Sequence, residues 1–111
     1  MARASKLGIR FFYDRIPKFP RAFEFIDAGG TTGLTGQNKK LLEGSLEFRG
    51  AFSATEQALL WDPQTSGGLF FGVRKKDADA CLRKLHERGV ADARIVGEAF
   101  ASDAPRLDVV R

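Results

Sequence analysis

Short β-rich runs alternate with short helical segments along this chain, and the last two β-rich runs are separated only by a turn. This order predicts an α+β fold in which helices cover a mixed β-sheet. Neither a repeat nor an interdomain linker interrupts the pattern, and 111 residues is the size of one domain. The predicted strands are residues 9–14, 46–49, 69–73, 93–100 and 106–110.

Two helices carry clear boundary signals. Ser53 and Glu56 form a capping box, in which each side chain accepts a hydrogen bond from the other residue's exposed backbone donor. Pro63 ends the helix that this box begins, because the residue before a proline avoids the helical region. Residues 77–88 show an apolar stripe at helical spacing, and Gly89 follows as the C-terminal cap.

Two shorter helices are predicted nearer the start of the chain. Residues 1–7 resemble the end of a helix, with Gly8 as its stop signal. Phe23 and Ile26 fall on one helical face, and Gly29 ends that segment. Both helices are short, and a short helix is marginal without packing against the rest of the protein.

The run of residues 69–73 is apolar throughout. A strand that alternates apolar and polar residues has one solvated face, whereas a continuous apolar run indicates burial on both faces. We therefore predict a central strand here. Two further residues are expected to pack in the core. Trp61 lies at the end of one predicted helix, and Cys81 lies on the apolar stripe of another.

The composition excludes several classes of protein. With 43% apolar and 29% charged residues the chain is globular, and no apolar run is long enough for a membrane span. No signal peptide opens the sequence, so a reducing cytoplasm is the expected compartment. One cysteine and one histidine leave neither a disulfide nor a Cys/His zinc site within the chain. The net charge of +4 suits anionic partners only weakly, because the charges are spread along the chain.

A glycine-rich loop is predicted at residues 29–38, where four glycines and three threonines expose backbone donors. Glycine lacks a Cβ, so such a loop can approach phosphate oxygens closely. Its spacing fits neither a dinucleotide fingerprint nor a Walker loop, and a mobile surface loop is the competing interpretation. Gly33, Thr35 and Asn38 are the candidate contacts to a phosphate-bearing ligand.

A second polar loop lies between a predicted helix and the most apolar run. Loops at this kind of position often hold ligands in α/β sheets, although a well-specified turn explains the residues equally well. Neither hydroxyl residue of the loop has a histidine or lysine nearby to make it a nucleophile. The candidate phosphate-proximal residues are Asp62, Gln64, Thr65, Ser66, Gly67 and Gly68.

The octapeptide Asp62-Pro-Gln-Thr-Ser-Gly-Gly-Leu69 resembles the signature of the selenophosphate synthetases (selenide, water dikinases), in their C-terminal domain. Its surroundings are also similar to that family, with Leu59-Leu-Trp61 before it and Ile95-Val-Gly-Glu98 after it. Upstream, Met1–Ser5 resembles the end of the first helix of the same domain. Residues 16–22 resemble a proline-containing stretch of the family. The similarity covers nearly the whole chain.

The resemblance implies that residues 1–111 form an AIR-synthetase-like C-terminal domain. It also implies that this domain is partial, because its N-terminal side is truncated. The intact enzyme uses ATP, Mg²⁺ and water to convert selenide to selenophosphate, releasing AMP and phosphate. Its N-terminal ATP-binding domain carries the active-site Cys or Sec, the Lys and the metal-binding aspartates. This chain is therefore expected to hold no catalytic residue, no metal ligand and no cofactor of its own, and to be inactive alone.

The sequence departs from the family in its glycine-rich loop. The family often has Gly-Gly-Thr-Arg-Arg-Asn where this chain has Gly33-Leu-Thr-Gly-Gln-Asn38, so an anion contact by the arginine pair cannot be carried over. Cys81 lies on the helix predicted at 77–88, within the part that resembles the C-terminal domain. It therefore does not correspond to the active-site cysteine of the family.

Two other functions stay open. One is the corresponding domain of another ATP-dependent enzyme of the superfamily, which should lack the octapeptide. The other is a stand-alone module for RNA or an anionic metabolite, although nucleic acid is the less favoured partner. If the chain is a fragment, an uncovered apolar face predicts a homodimer or other self-association, or only marginal stability of the isolated chain. The two polar loops are expected to lie close together on one side of the sheet.

Overall fold

The computed structural model describes all 111 residues and contains a single four-stranded sheet. Its strands are β1 (Leu7–Phe12), β2 (Leu46–Arg49), β3 (Gly97–Ala101) and β4 (Arg106–Val110), arranged in the order β2-β4-β1-β3. Strands β1 and β4 are parallel, as are β2 and β4, whereas β1 and β3 are antiparallel. The predicted α+β class with a mixed sheet is confirmed.

Five helices accompany the sheet: α1 (Ala2–Ser5), α2 (Ala22–Asp27), α3 (Thr35–Leu42), α4 (Ala54–Trp61) and α5 (Ala78–Glu87). The capping box at the start of α4 is confirmed, since Ser53 Oγ accepts from the Glu56 N–H at 3.1 Å and Glu56 accepts from the Ser53 N–H at 2.8 Å. Gly89 follows α5 at a φ of 85°. None of the five helices combines the length and hydropathy that a membrane crossing requires.

Three predicted boundaries are wrong. The strand predicted at 9–14 runs from Leu7 to Phe12, and residues 13–15 form a short turn of 3-10 helix. Helix α1 ends at Ser5, because Lys6 adopts the left-handed conformation at a φ of 51°. Gly8 is instead a buried residue of β1, where a Cβ would overlap the ring of Phe100. The strand predicted at 93–100 begins only at Gly97, whose missing side chain lets β1 and β3 approach closely.

The central strand predicted at residues 69–73 is also wrong. These residues have no strand partner, and Leu69 is 86% exposed. The ring of Phe70 lies 5.6 Å from that of Phe11, so the segment passes over the apolar face of the sheet instead of joining it. Strands β1 and β4 are the central strands, since each is hydrogen-bonded to a neighbouring strand on both sides. An apolar run indicates contact with other apolar groups but does not by itself supply a neighbouring strand.

The apolar face of the sheet carries a small core. Ile9 and Val109 are buried in β1 and β4, and Trp61 packs edge-to-face against Phe48 with the ring centroids 5.9 Å apart. The expected core position of Trp61 is confirmed, since its exposed fraction is 8%. Cys81, on α5, is only half-buried.

The opposite face of the sheet is charged. Asp108 on β4 is fully buried, and its Oδ2 lies 2.9 Å from Arg106 Nη2, 3.5 Å from Arg49 Nε and 3.8 Å from Arg10 Nη2. These arginines come from three strands, β4, β2 and β1. A buried carboxylate is tolerated here because its charge is compensated by several nearby guanidinium groups.

Candidate functional site

The first predicted loop is shorter than expected. Residues 35–38, which were predicted as loop, form the first turn of α3, so the prediction is wrong there. The side chain of Thr35 accepts from the Thr32 N–H at 3.2 Å and thereby satisfies a backbone donor just before the helix. Gly33 lies in the turn before α3 with open space around it. The helix runs on to Leu42, because most residues from 37 to 42 are good helix formers and offset the cost of Gly36.

The second predicted loop directly follows α4. Asp62 is the first extended residue, and its carboxylate accepts a hydrogen bond from Gln64 Nε2 at 2.7 Å. The Gly67 N–H donates to the Gln64 carbonyl at 3.2 Å, which closes a tight turn. Thr65 and Ser66 sit at the tip of this turn, exposed, and their hydroxyls bond to no group of the protein. Gly68 follows with open space around it.

The two segments are neighbours. Asn38 Nδ2, on α3, donates to the carbonyl oxygen of Trp61 at 2.9 Å. Trp61 is the last residue of α4, so this hydrogen bond ties the start of α3 to the residue from which the second loop departs. The sequence expectation that the loops lie close together therefore agrees with this contact. Sequence reasoning placed Asn38 near a ligand, whereas the structure gives its amide a partner within the protein.

Removing the Asn38 amide is expected to weaken this connection. We predict that Asn38→Ala lowers the free energy of unfolding by about 1–2 kcal/mol, because the half-buried Trp61 carbonyl loses its only donor. Urea denaturation followed by the fluorescence of Trp61 measures the change. The matched control is Gln37→Ala on the exposed side of the same helix, which should stay within about 0.5 kcal/mol. Equal effects of the two variants would contradict the role assigned to Asn38.

The chemistry available at the two loops is that of neutral donors. Hydroxyls of Thr65 and Ser66 and the free backbone N–H groups beside them can donate to phosphate oxygens. No group of three or more His, Cys, Asp or Glu side chains in the chain could hold a metal ion. His86 lies elsewhere, on α5, where a ring nitrogen is 3.0 Å from the Ala93 carbonyl oxygen.

A cluster around the C-terminal residue was missed by sequence reasoning. Arg111 Nη2 lies 2.8 Å from Glu56 Oε1, and its Nη1 lies 3.2 Å from Asp14 Oδ1. The guanidinium stacks 4.8 Å from the centroid of Phe52, whose ring packs against the buried ring of Tyr13. The cluster fastens the end of β4 to the end of β1 and the start of α4. No local pattern signals it, because Asp14 and Arg111 are 97 positions apart.

This cluster perturbs several ionisable groups. Burial, reinforced by the nearby charge of Glu56, raises the pKa of Tyr13 to about 12. Burial also lowers the pKa of Lys18, whose ammonium donates to two backbone carbonyls and lies over the Tyr13 ring. The pKa of Glu56 is lowered by the hydrogen bond from the Ser53 backbone and then by the one from Arg111. The perturbed groups are held in structural contacts and lie at neither of the two loops.

Comparisons with known proteins match this chain along nearly its whole length. A family model described as AIR synthase related protein, C-terminal domain, matches residues 1–110. Among curated relatives, the selenide, water dikinase of Paraburkholderia xenovorans is 33% identical over 110 residues, which are 99% of this chain and 31% of that protein. The enzyme of the same name from Pelobacter propionicus is 32% identical over 105 residues, 95% of this chain and 30% of the relative.

A third relative, the selenide, water dikinase of Rhizobium meliloti, is 34% identical over 94% of this chain and 30% of its own length. The chain thus spans about 30% of the length of the curated relatives that it matches. These matches confirm the resemblance to selenophosphate synthetases inferred from the octapeptide at 62–69.

Proposed function

Because the chain belongs to the family of AIR synthase related proteins, as their C-terminal domain, we propose that it is the C-terminal domain of a selenophosphate synthetase (selenide, water dikinase). The observation that carries the proposal is the contiguous string Asp62-Pro-Gln-Thr-Ser-Gly-Gly-Leu69. The relatives named selenide, water dikinase support it, since they match from one end of the chain to the other. In this proposal residues 1–111 form a single, partial domain of a cytoplasmic enzyme.

The proposed reaction converts selenide to selenophosphate with ATP and water and releases AMP and phosphate. Phosphoryl transfer depends on cations positioned around the phosphate groups. The donor set of this chain does not fit a magnesium site, because its carboxylates form no cluster that could hold a metal. The proposal therefore assigns ATP, Mg²⁺ and the reacting groups to the N-terminal ATP-binding domain, the main partner of this chain, and predicts that the chain alone is inactive.

The contribution proposed for this chain is a surface of neutral donors beside that partner. The hydroxyls of Thr65 and Ser66 are exposed and unpaired, so they are free to donate to phosphate oxygens. The Gln64 side chain holds Asp62, and the Gly67 N–H closes the turn, so these residues fix the shape of the loop. Gly33 and Gly68 leave open space for the approach of a ligand.

Thr35 and Asn38 have a different part in this proposal. The Thr35 hydroxyl contacts Thr32 at the start of α3, and the Asn38 amide is bonded to the Trp61 carbonyl. Both side chains are therefore engaged within the protein, and they position the two loops instead of contacting the phosphate groups directly.

A chimeric enzyme tests the proposal. This chain replaces the matching 110 residues of the Paraburkholderia xenovorans dikinase, and selenide-dependent formation of AMP from ATP is measured. The chimera is expected to retain turnover, whereas the same enzyme without a C-terminal domain should lack it. Thr65→Val within the chimera should lower turnover on the order of tenfold, since one hydrogen bond to a charged phosphate is lost.

The matched control in the chimera is Thr55→Val, which removes a hydroxyl that bonds to Asp27 on α2, away from the loop. It should leave turnover within about twofold of the unmodified chimera. A chimera that folds and binds ATP but shows no selenide-dependent turnover would contradict the proposal and favour another enzyme of the superfamily.

We also propose that the isolated chain associates with itself, as a homodimer, because part of its apolar surface is uncovered.

A further inference from the structure

Helix α5 and the residues beside it carry positive charge that the rest of the protein does not neutralise. Seven of the 18 lysine and arginine residues fall between 74 and 94, against four acidic residues. Arg74 pairs with Asp77 at 2.6 Å, but the next five basic residues along the chain form no ion pair. All five are exposed: Lys75, Lys76, Arg83, Lys84 and Arg88. Their charge is therefore available to an anionic partner.

Arginines in other parts of the protein are paired with carboxylates. Three arginines of the sheet share the buried Asp108, and Arg111 contacts two carboxylates. The exposed Arg21 pairs with Glu24 at 2.8 Å. The basic residues are thus spread along the chain, as the sequence shows, whereas the largest group of unpaired ones lies around α5.

Three of the unpaired cations recur at multiples of four residues, which places them along one side of the helix. Lys76 lies in the 3-10 turn before α5 and Lys84 within α5. Arg88 follows the last residue of α5, and its N–H still donates to the Lys84 carbonyl at 3.2 Å. At 1.5 Å per residue these three residues, hereafter the basic row, span about 18 Å. The acidic residues of α5, Asp79 and Glu87, do not share this spacing.

The apolar stripe of the same helix is turned toward the protein. Cys81, Leu82 and Leu85 are half-buried, whereas the basic row is exposed. A helix that binds a lipid surface turns its apolar side chains to the lipid, and that side of α5 is already partly covered. Interfaces between proteins are depleted of lysine. The basic row is therefore suited neither to a membrane nor to burial beneath a neighbouring domain.

We propose that the basic row binds the phosphate backbone of a nucleic acid. A strand presents one phosphate at every nucleotide, so three cations in line can each contact a different phosphate. Asn and Gln, which read adenine, and Phe, Tyr and Trp, which stack on bases, are absent between 74 and 94. Binding therefore depends on charge and not on base sequence. It is independent of the proposed dikinase activity, so the two can fail separately.

Fluorescence anisotropy of the full chain with a labelled single strand of about 20 nucleotides tests the proposal. Three phosphate contacts predict that the logarithm of the affinity falls with that of the salt concentration with a slope of about −2. The affinity should therefore drop about 20-fold between roughly 50 and 200 mM NaCl. RNA and DNA strands of the same sequence should bind within about threefold of each other, because only phosphates are contacted.

Neutralising the basic row should remove most of this binding. The triple variant Lys76→Gln, Lys84→Gln and Arg88→Gln should lose at least about tenfold in affinity at low salt, and its salt slope should fall toward zero. Glutamine is a good helix former, so α5 should stay folded, which far-ultraviolet circular dichroism checks. Exchanging Lys76 and Lys84 for arginine keeps the charge and should keep both the affinity and the slope.

The matched control removes the same net charge from exposed lysines elsewhere. Lys6→Gln, Lys39→Gln and Lys40→Gln together should change the affinity by less than about threefold, because these side chains lie outside the basic row. Equal losses in the two triple variants would show that net charge alone attracts the strand and would overturn the proposal. Absence of binding at low salt, or binding that does not weaken with salt, would overturn it as well.

Discussion

Trp61→Ala is expected to lower the free energy of unfolding by about 3–5 kcal/mol, which is the cost of replacing a buried tryptophan by alanine. The indole is 8% exposed and packs edge-to-face on Phe48. The core contains few fully buried apolar side chains, so the loss is a large fraction of the stability of a domain of this size. Urea denaturation followed by far-ultraviolet circular dichroism measures it.

Trp61→Phe separates loss of packing from loss of the fold. Phenylalanine keeps an aromatic ring against Phe48, so this variant should lose only about 1–2 kcal/mol and stay folded. It should also keep the hydrogen bond from Asn38, because the acceptor is the backbone carbonyl of residue 61. Losses of less than about 1 kcal/mol in both variants would contradict the placement of this side chain in the core.

Asp108→Ala is expected to have the second-largest effect, a loss of about 2–3 kcal/mol. Removing the fully buried carboxylate leaves Arg10, Arg49 and Arg106 facing one another without their shared counter-charge. The loss stays below that of a fully buried ion pair, because the arginine side chains are 35–43% exposed and water screens part of the repulsion.

An exposed ion pair provides the matched control for Asp108. Glu24 pairs with Arg21 on the surface of α2, where the two side chains are 68% and 83% exposed. Glu24→Ala should therefore change the free energy of unfolding by no more than about 0.5 kcal/mol. The same denaturation experiment compares the two variants, and similar losses would show that the three arginines do not depend on Asp108.

Local signals in the sequence predicted local structure well. The capping box of Ser53 and Glu56 and the glycine after α5 depend on residues within one turn, and both were found where expected. Helix α3 was missed because Gly33 and Gly36 weigh against helix, although the residues after them favour it. The mixed sheet followed from the order of elements, which constrains the possible topologies.

Features that depend on distant residues could not be predicted. The apolar run at 69–73 indicated a strand, but no local pattern shows whether a partner edge is available. The burial of Asp108 requires a register that brings arginines from three strands together. The octapeptide at 62–69 identified the family through its resemblance, whereas the contact between Asn38 and Trp61 needed coordinates.

We propose above that this chain contributes to turnover only together with a separate ATP-binding domain. Mixing the two parts tests this proposal most directly. Selenide-dependent AMP formation is measured for this chain alone, for the N-terminal two-thirds of the Paraburkholderia xenovorans dikinase alone, and for their mixture. The account predicts no turnover by this chain and a saturable increase when it is added to the N-terminal part. Turnover of selenide and ATP by this chain unaided would contradict the claim.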